Sequence, residues 1–389
     1  TTGAGNVAFG AEALATNVAG SNSTAIGREA LKTQNPATAT DAHNTAVGYA
    51  AGLAVTTGIK NTFVGGLAGD ATTTASENVA VGYDSLGTNI LGSHSVAVGP
   101  SALRTQNYGT ATNAYNTAVG SFAGYAVSTG IRNTLIGGKT GDEVTTGEGN
   151  VAVGYESLGE TTIGDDNVAI GNFALHTNVD GSRNVAVGRS ALLAMEPSTE
   201  SSTYNTAVGY AAGTAVTTGV SNTLIGGLSG DVLTDADQNV ALGYASLSSD
   251  TLGSNSVAIG YAALVAQNFT TATNSYNTAV GASAGAAVTT GVKNNFIGAL
   301  AGDAITVGTR NVAVGTESLS TDTQGSRSVA IGHTALFAQN FTTATNVYNV
   351  AVGVSAGAAI TTGVQNTLMG GLAGDALTDA DYNVAIGYS

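Results

Sequence analysis

The sequence has 389 residues, of which 55 are glycine, three are proline and none is cysteine. The lack of cysteine excludes disulfides and thiolate metal sites, and glycine without a Gly-X-Y period excludes collagen. The 26 acidic and 11 basic residues give a formal net charge of −15, which predicts that the chain repels nucleic acid and anionic lipid surfaces. No run of about 18 apolar residues and no basic leader before an apolar segment occurs, so we expect no membrane insertion and no signal peptide in this segment.

A five-residue pattern, Asn-(Val/Thr)-Ala-(Val/Ile)-Gly with few substitutions, recurs 22 times from Asn6 to Gly387. Successive copies follow at one of two spacings, a short one as from Asn44 to Asn61 and a long one as from Ser23 to Asn44. The short spacing occurs sixteen times and the long spacing five times, and we call the corresponding units short coils and long coils. Such fixed periods are typical of solenoids, in which one supersecondary unit stacks on the next.

We therefore predict an all-β fold, a parallel β-solenoid of about 22 coils, with residues 1–389 as a single continuous repeat domain. Thr1–Gly5 resembles the end of a preceding coil. For this reason we expect an excerpt of a longer fibre protein.

Within each pentad, positions two and four point to one face of an extended segment, and position three points to the other. Position four is apolar in every copy, and position three is alanine in 17 copies. The remaining five copies carry Phe63, Leu135, Leu224, Phe296 and Leu368 at position three. Because a solitary solenoid should be polar outside, apolar residues on both faces predict contact with another chain. We therefore expect a homotrimer with these five residues at the interface. The alternative is an exposed alanine face that tolerates one larger residue in every four coils.

The rest of the coil is predicted from its small residues. Position five is glycine in every copy, which predicts a sharp corner with positive φ or a close backbone approach. A second, less regular strand is expected after this corner, for example over Ala54–Thr57, so that two strands and two turns make one flattened coil. The opening asparagine, replaced by serine at 23, 95, 256 and 328, predicts a ladder of amide hydrogen bonds along the solenoid.

The segments Ser95–Gly99, Ser256–Gly260 and Ser328–Gly332 read Ser-Val-Ala-(Val/Ile)-Gly and closely resemble the head repeat of YadA-like trimeric autotransporter adhesins. The resemblance covers nearly the whole chain. It implies a left-handed parallel β-roll that assembles as a trimer, is displayed outside a cell and attaches to host or surface molecules. Repeats such as Asn44–Gly52 and Asn205–Gly213 also resemble the shafts of phage tail fibres and other viral attachment fibres.

The expected function is therefore that of a structural and adhesive extracellular fibre at a cell or virion surface, with a viral tail-fibre shaft as the alternative. We expect no enzymatic activity and no cofactor. The predicted partners are further copies of the chain and a glycan or protein of the host surface.

The extra residues of each long coil are expected to protrude as polar loops. Such loops recur along the solenoid and suit weak multivalent contacts with a glycan or protein. The candidate ligand residues are Gln34, Asn35, Gln106, Asn107, Tyr108, Gln267, Asn268, Phe269, Gln339, Asn340 and Phe341. The alternative is that these loops only accommodate an insertion.

Five aspartates, each after a glycine in the same type of coil, are the only candidate metal ligands that we single out. They are Asp70, Asp142, Asp231, Asp303 and Asp375. In a trimer each would form a ring of three carboxylates suited to calcium. The alternative, which the sequence favours, is that each aspartate hydrogen-bonds the backbone of its own turn.

The remaining polar residues show no pattern that predicts a reaction. The four histidines, His43, His94, His176 and His333, share no ligand spacing. Three carboxylate pairs are expected to be solvated, because no interruption of the coils would build a glycosidase cleft: Asp235 with Asp237, Asp379 with Asp381, and Asp165 with Asp166. Paired threonines such as Thr56–Thr57 do not recur at every coil, which argues against an ice-binding lattice.

Overall fold

A computed structural model describes residues 3–197 and 199–389. The prediction of an all-β fold is confirmed: the chain is a parallel β-solenoid of about 22 turns. Equivalent residues of neighbouring short coils are 17 positions apart, as Asn61 and Asn78 are. The chain forms two compact units. The first unit comprises the chain up to Ser190 together with Met195–Ser202. The second unit comprises Ala191–Ala194 and Thr203–Ser389.

Each coil contributes one three-residue strand, formed by positions two to four of the pentad. In the first unit these strands are Val7–Phe9, Thr24–Ile26, Thr45–Val47, Thr62–Val64, Val79–Val81, Val96–Val98, Thr117–Val119, Thr134–Ile136, Val151–Val153, Val168–Ile170 and Val185–Val187. In the second unit they are Thr206–Val208, Thr223–Ile225, Val240–Leu242, Val257–Ile259, Thr278–Val280, Asn295–Ile297, Val312–Val314, Val329–Ile331, Val350–Val352, Thr367–Met369 and Val384–Ile386. Within each unit every strand pairs in parallel with the next, and equivalent residues lie side by side, as Phe63 does with Ala80.

Among the described residues, a second strand forms only beside the long coils, and it has two residues. The pairs are Gly20–Ser21 with Thr40–Asp41, Gly92–Ser93 with Thr112–Asn113, Gly181–Ser182 with Ser201–Ser202, Gly253–Ser254 with Thr273–Asn274, and Gly325–Ser326 with Thr345–Asn346. The prediction of a strand over Ala54–Thr57 is wrong, because this segment contains turns and bends and no strand. Isolated backbone hydrogen bonds hold it to the next coil, such as that from the Thr56 N–H to the Thr73 carbonyl at 2.9 Å.

The corner predicted at position five is confirmed. Gly82, for example, has a φ of +135°. A Cβ atom at this position would lie 2.5 Å from the carbonyl oxygen of Gly99 in the next coil. Only glycine therefore allows both the backbone conformation and the close approach of successive coils.

Position three points into the coil, so the assignment of the five large residues to an interface is wrong. Phe63, Leu135, Leu224, Phe296 and Leu368 are at most 1% exposed within this one chain. The alternative of an exposed alanine face is wrong as well, since Ala46, Ala80 and their equivalents in the stacked coils are fully buried. Position three is thus the core position of the strand.

Complementary residue sizes explain how the narrow interior holds a phenylalanine. Phe63 lies between Gly52 and Gly69, which occupy position nine of the preceding coil and of its own coil. A Cβ atom would lie 2.8 Å from the Phe63 ring at Gly52 and 2.5 Å from it at Gly69. Where position three is alanine in the next two coils, position nine is the buried Leu86 or Leu103. The same glycine pairs flank the other large residues, at Gly124 and Gly141, Gly213 and Gly230, Gly285 and Gly302, and Gly357 and Gly374.

The predicted asparagine ladder is confirmed. The Asn61 Oδ1 atom accepts a hydrogen bond from the Asn78 N–H at 3.0 Å, and the Asn61 Nδ2 atom donates to the Ala75 carbonyl at 3.0 Å. Asn133 and Asn150 repeat the arrangement, with the Asn150 N–H 3.0 Å from the Asn133 Oδ1 atom. Each buried amide therefore satisfies a backbone donor of the next coil and a backbone acceptor of its own coil.

Candidate functional site

An exposed apolar surface lies on the outward strand face, which is formed by positions two and four of the pentads. These positions hold valine, threonine, isoleucine, leucine and a few other uncharged residues. Ile136 and Ile170 are each 39% exposed, and Leu242 and Ile297 are each 44% exposed. Because successive strands pair in register, position four forms a continuous apolar row within each unit, beside a mixed row of mostly valine and threonine at position two. Contiguous exposed apolar surface of this kind is typical of interaction sites.

Tyrosines extend the outward strand face at the corner that follows it. The residue after the corner glycine is an exposed tyrosine at Tyr49, Tyr83, Tyr155, Tyr210, Tyr244, Tyr261 and Tyr388. In consecutive coils the rings of Tyr244 and Tyr261 stack, with centroids 6.0 Å apart and an interplanar angle of 11°. The corner therefore adds aromatic surface, which contributes strongly to contacts between proteins.

The candidate ligand residues of the long coils separate into buried and exposed groups. Gln34, Gln106, Gln267 and Gln339 are fully buried, and Tyr108, Phe269 and Phe341 are at most 8% exposed. The interpretation of these seven residues as protruding ligand residues is therefore wrong. The asparagines between them, Asn35, Asn107, Asn268 and Asn340, are exposed, and their role in binding stays a prediction.

Where a coil opens with serine, a buried glutamine side chain takes the place of the missing asparagine side chain in the hydrogen-bond ladder. The Gln106 Nε2 atom donates to the Ser95 hydroxyl at 3.0 Å, and the Gln106 Oε1 atom accepts from Asn116 Nδ2 at 2.9 Å. Equivalent bonds join the other three glutamines to their serines and asparagines. In the long coil that opens with Asn184, the residue at the equivalent position is the buried Met195. The pairing of an opening serine with a glutamine later in the same coil was therefore visible in the sequence.

Two buried carboxylates, which sequence reasoning missed, support the long coils of the second unit. The Asp322 Oδ1 atom accepts the N–H groups of Gly325 at 2.9 Å and Phe341 at 3.1 Å, and Oδ2 accepts from Gln339 Nε2 at 2.5 Å. Burial raises the pKa of Asp322 above its ordinary value. Asp250 makes the same set of contacts in the preceding copy of the motif. These carboxylates serve the fold, since their oxygens already have partners within the chain.

The predicted metal ligands lie in half-buried turns. Burial raises the pKa of Asp70, Asp142, Asp231 and Asp303. One oxygen of Asp70, of Asp231 and of Asp303 is buried without a hydrogen-bond partner. Within one chain, the described residues include no group of three or more acidic or histidine side chains placed to hold a metal ion. A ring of three carboxylates, one from each of three copies, stays a prediction that also includes Asp375.

The histidines lie at the surface of the solenoid, and two of them, His94 and His176, approach carboxylates. The His94 Nδ1 atom lies 3.2 Å from a Glu77 oxygen, and the His94 ring stacks on Tyr115 with centroids 5.0 Å apart. His176 lies 3.9 Å from a carboxylate oxygen of Glu160. Neither arrangement brings a second histidine close.

The carboxylate pairs bind the backbone of the preceding coil. The Val220 N–H donates to Asp237 at 2.8 Å, and the Val364 N–H donates to Asp381 at 2.7 Å. The Glu148 N–H likewise donates to Asp165 at 2.7 Å. One carboxylate of each pair therefore links neighbouring coils.

Comparison with known proteins gives no relative from which a function could be transferred. No family model matches the chain, and no curated protein matches it significantly. Among the described residues, no helix has the length and apolar character needed to cross a membrane.

Proposed function

We propose that this chain is part of an extracellular fibre, a rigid head or shaft that assembles as a homotrimer through the outward strand face and mediates attachment. The observation that carries the proposal is that the interior of each coil is complete without that face. Phe63 and its equivalents fill the core, and the asparagine ladder satisfies the buried backbone. The apolar row at position four is therefore available for a partner.

A second copy of the same chain is the partner that best fits this face. The outward positions repeat with the spacing of the coils, so an identical solenoid presents rows of the same period. None of these positions is charged in any of the 22 copies, although the whole chain has a net charge of −15. Association through this face consequently brings no charged strand residues into contact, which would otherwise oppose self-assembly.

The attachment part of the proposal rests on repetition. The exposed asparagines of the long coils, such as Asn107 and Asn268, recur along the solenoid, and a trimer triples their number. Weak contacts with a host-surface glycan or protein would then act together. A cell-surface head and a viral tail-fibre shaft use the same geometry, and the resemblance to YadA-like heads favours the cell-surface location.

A charge placed on the outward strand face tests the proposed assembly. In the variant Val119→Lys, Ile136→Lys and Ile170→Lys, each lysine would be desolvated at an interface. We expect the assembly to dissociate into folded monomers, seen as a fall in mass by light scattering with an unchanged circular dichroism spectrum. The matched control, Thr57→Lys, Thr74→Lys and Thr146→Lys, adds the same charge at exposed turn positions and should leave the mass unchanged. A lysine face that keeps the mass of the unmodified assembly would contradict the proposal.

A further inference from the structure

The last residue of each coil forms an edge row beside the strands. In five successive coils of the second unit these residues are Tyr276, Lys293, Arg310, Arg327 and Tyr348, which we call the cationic row. All five have a left-handed backbone conformation, with φ between 52° and 66°. Since parallel strands are about 4.8 Å apart, three cations follow one another at that spacing with a tyrosine beyond each end.

Backbone hydrogen bonds fix the position of each cation. The Lys293 N–H donates to the Ser275 carbonyl at 2.7 Å, and the Arg310 N–H donates to the Val292 carbonyl at 3.1 Å. The Arg327 N–H is bonded to the preceding coil in the same way. The side chains therefore leave the solenoid at equivalent points of three successive coils.

The three cations have no carboxylate partner in the part of the chain that the structure describes. None of them occurs in the ion pairs found there. Lys293 and Arg310 are exposed. The Arg327 guanidinium lies over the Tyr348 ring, 5.4 Å from its centroid, and donates to the Tyr348 hydroxyl at 2.6 Å. The array thus holds three positive charges, one of which is oriented by an aromatic ring.

The edge row of the first unit shows that the same position readily forms ion pairs. Lys60 lies 3.2 Å from a Glu77 oxygen one coil away. Arg132 lies 2.7 Å from Glu148, which is the residue before the end of the next coil. Next to the cationic row, the equivalent places hold Thr309 and Ser326, which are uncharged. The lack of carboxylates there leaves the cations available to an external anion.

We propose that the cationic row binds an acidic polysaccharide, a linear sugar chain that carries carboxylate or sulfate groups at regular intervals. The anionic groups pair with Lys293, Arg310 and Arg327, and the exposed rings of Tyr276 and Tyr348 pack against sugar rings at either end. Nucleic acid fits less well, because proteins bind single strands in positively charged grooves with successive stacking aromatic side chains, whereas this row has three cations and one tyrosine at each end. The inference rests on the proposed attachment function and adds to it the ligand class and the site.

The test compares two triple variants of the full chain. One is Lys293→Gln, Arg310→Gln and Arg327→Gln, and the other is the control Lys60→Gln, Arg132→Gln and Lys139→Gln, which changes the net charge equally. Binding to immobilised heparin, polygalacturonate, neutral dextran and single-stranded poly-dT is measured near physiological ionic strength. We expect the unmodified chain to bind heparin or polygalacturonate and not to bind dextran. Affinity should fall on the order of tenfold in the first variant, because each exposed charge pair contributes modestly, and should persist in the control.

Each other outcome overturns the inference. No binding of either acidic polysaccharide by the unmodified chain, or equal losses in both variants, would remove the assigned site. Tighter binding of poly-dT would show that the ligand class is wrong. A changed mass of the first variant by light scattering would show that the cations contact another copy of the chain. Because assembly is read from mass and ligand binding from affinity, failure of the cationic row is distinguishable from failure of the proposed trimer.

Discussion

The inward and outward faces of the same three-residue strands differ in what covers their side chains. The inward face is covered by other residues of the same chain: Phe63 fits between two glycines, and Asn61 accepts a hydrogen bond from the next coil. The outward face carries side chains such as Ile136 and Leu242 that remain about two-fifths exposed. Polarity does not distinguish position three from position four, since both are apolar; the available space does. The inward face therefore tolerates little change in size, whereas the outward face is free to contact a partner.

Removing the large core residue should give the greatest loss of stability. Phe63→Ala leaves a cavity between Gly52 and Gly69, and such changes cost about 3–5 kcal/mol. Phe63→Leu is the matched control, since the chain itself uses Leu135 at the equivalent position, and it should cost less than Phe63→Ala because it removes less volume. The free energies come from chemical unfolding, with hydrogen exchange of the surrounding coils to localise the effect. A Phe63→Ala variant as stable as Phe63→Leu would contradict the assignment of this face to the core.

Removing the glutamine that takes the place of a missing asparagine should give the next largest loss of stability. Gln106→Met leaves the buried hydroxyl of Ser95 and amide of Asn116 without these partners, which we expect to cost about 1–3 kcal/mol. Adding Ser95→Asn to Gln106→Met reproduces the combination found at Asn184 and Met195 and should restore most of the loss. A double-mutant cycle by chemical unfolding measures this coupling. Additive losses would show that the glutamine does not replace a missing asparagine.

The smallest predicted effect concerns a half-buried turn. Burial raises the pKa of Asp231, so the folded state holds its proton more tightly than the unfolded state does. Stability should then fall as the pH rises from the ordinary aspartate value, about 4, through the raised pKa. Asp231→Asn should raise the Tm at neutral pH, and the gain should shrink as the pH is lowered toward 4. The control Asp379→Asn removes the same charge at an exposed position, and a pH-independent gain at Asp231 in thermal unfolding curves would contradict this explanation.

Sequence spacing alone predicted the solenoid, its corner glycines and its asparagine ladder, because a fixed period requires equivalent residues to stack. It did not identify the inward face, because alternation of polar and apolar residues, the usual indicator, is absent when both faces are apolar. The size relation between Phe63 and its two glycines was the signal that could have decided the matter. The pairing of an opening serine with a glutamine was visible in the sequence, but the roles of Gln106 and Asp322 also depend on contacts with the next coil, at Asn116 and Phe341, which only the fold brings together.

The edge row was missed for a different reason. Lys293, Arg310 and Arg327 occupy the same position of three successive coils, so the repeat period alone places them in line. Whether these cations form ion pairs, however, depends on the residues of the neighbouring coils. A net charge of −15 for the whole chain also does not indicate a local positive array. Electrostatic character in a solenoid is therefore best judged position by position along the stacked coils.

The native mass of the unmodified chain in solution tests most directly whether copies of the chain complete the outward face. Sedimentation equilibrium should give three times the chain mass of 38.0 kDa, independent of dilution over the range in which the assembly is stable. A mass of 38.0 kDa at every concentration would contradict the account, because the apolar row at position four would then remain exposed to water on a solitary solenoid.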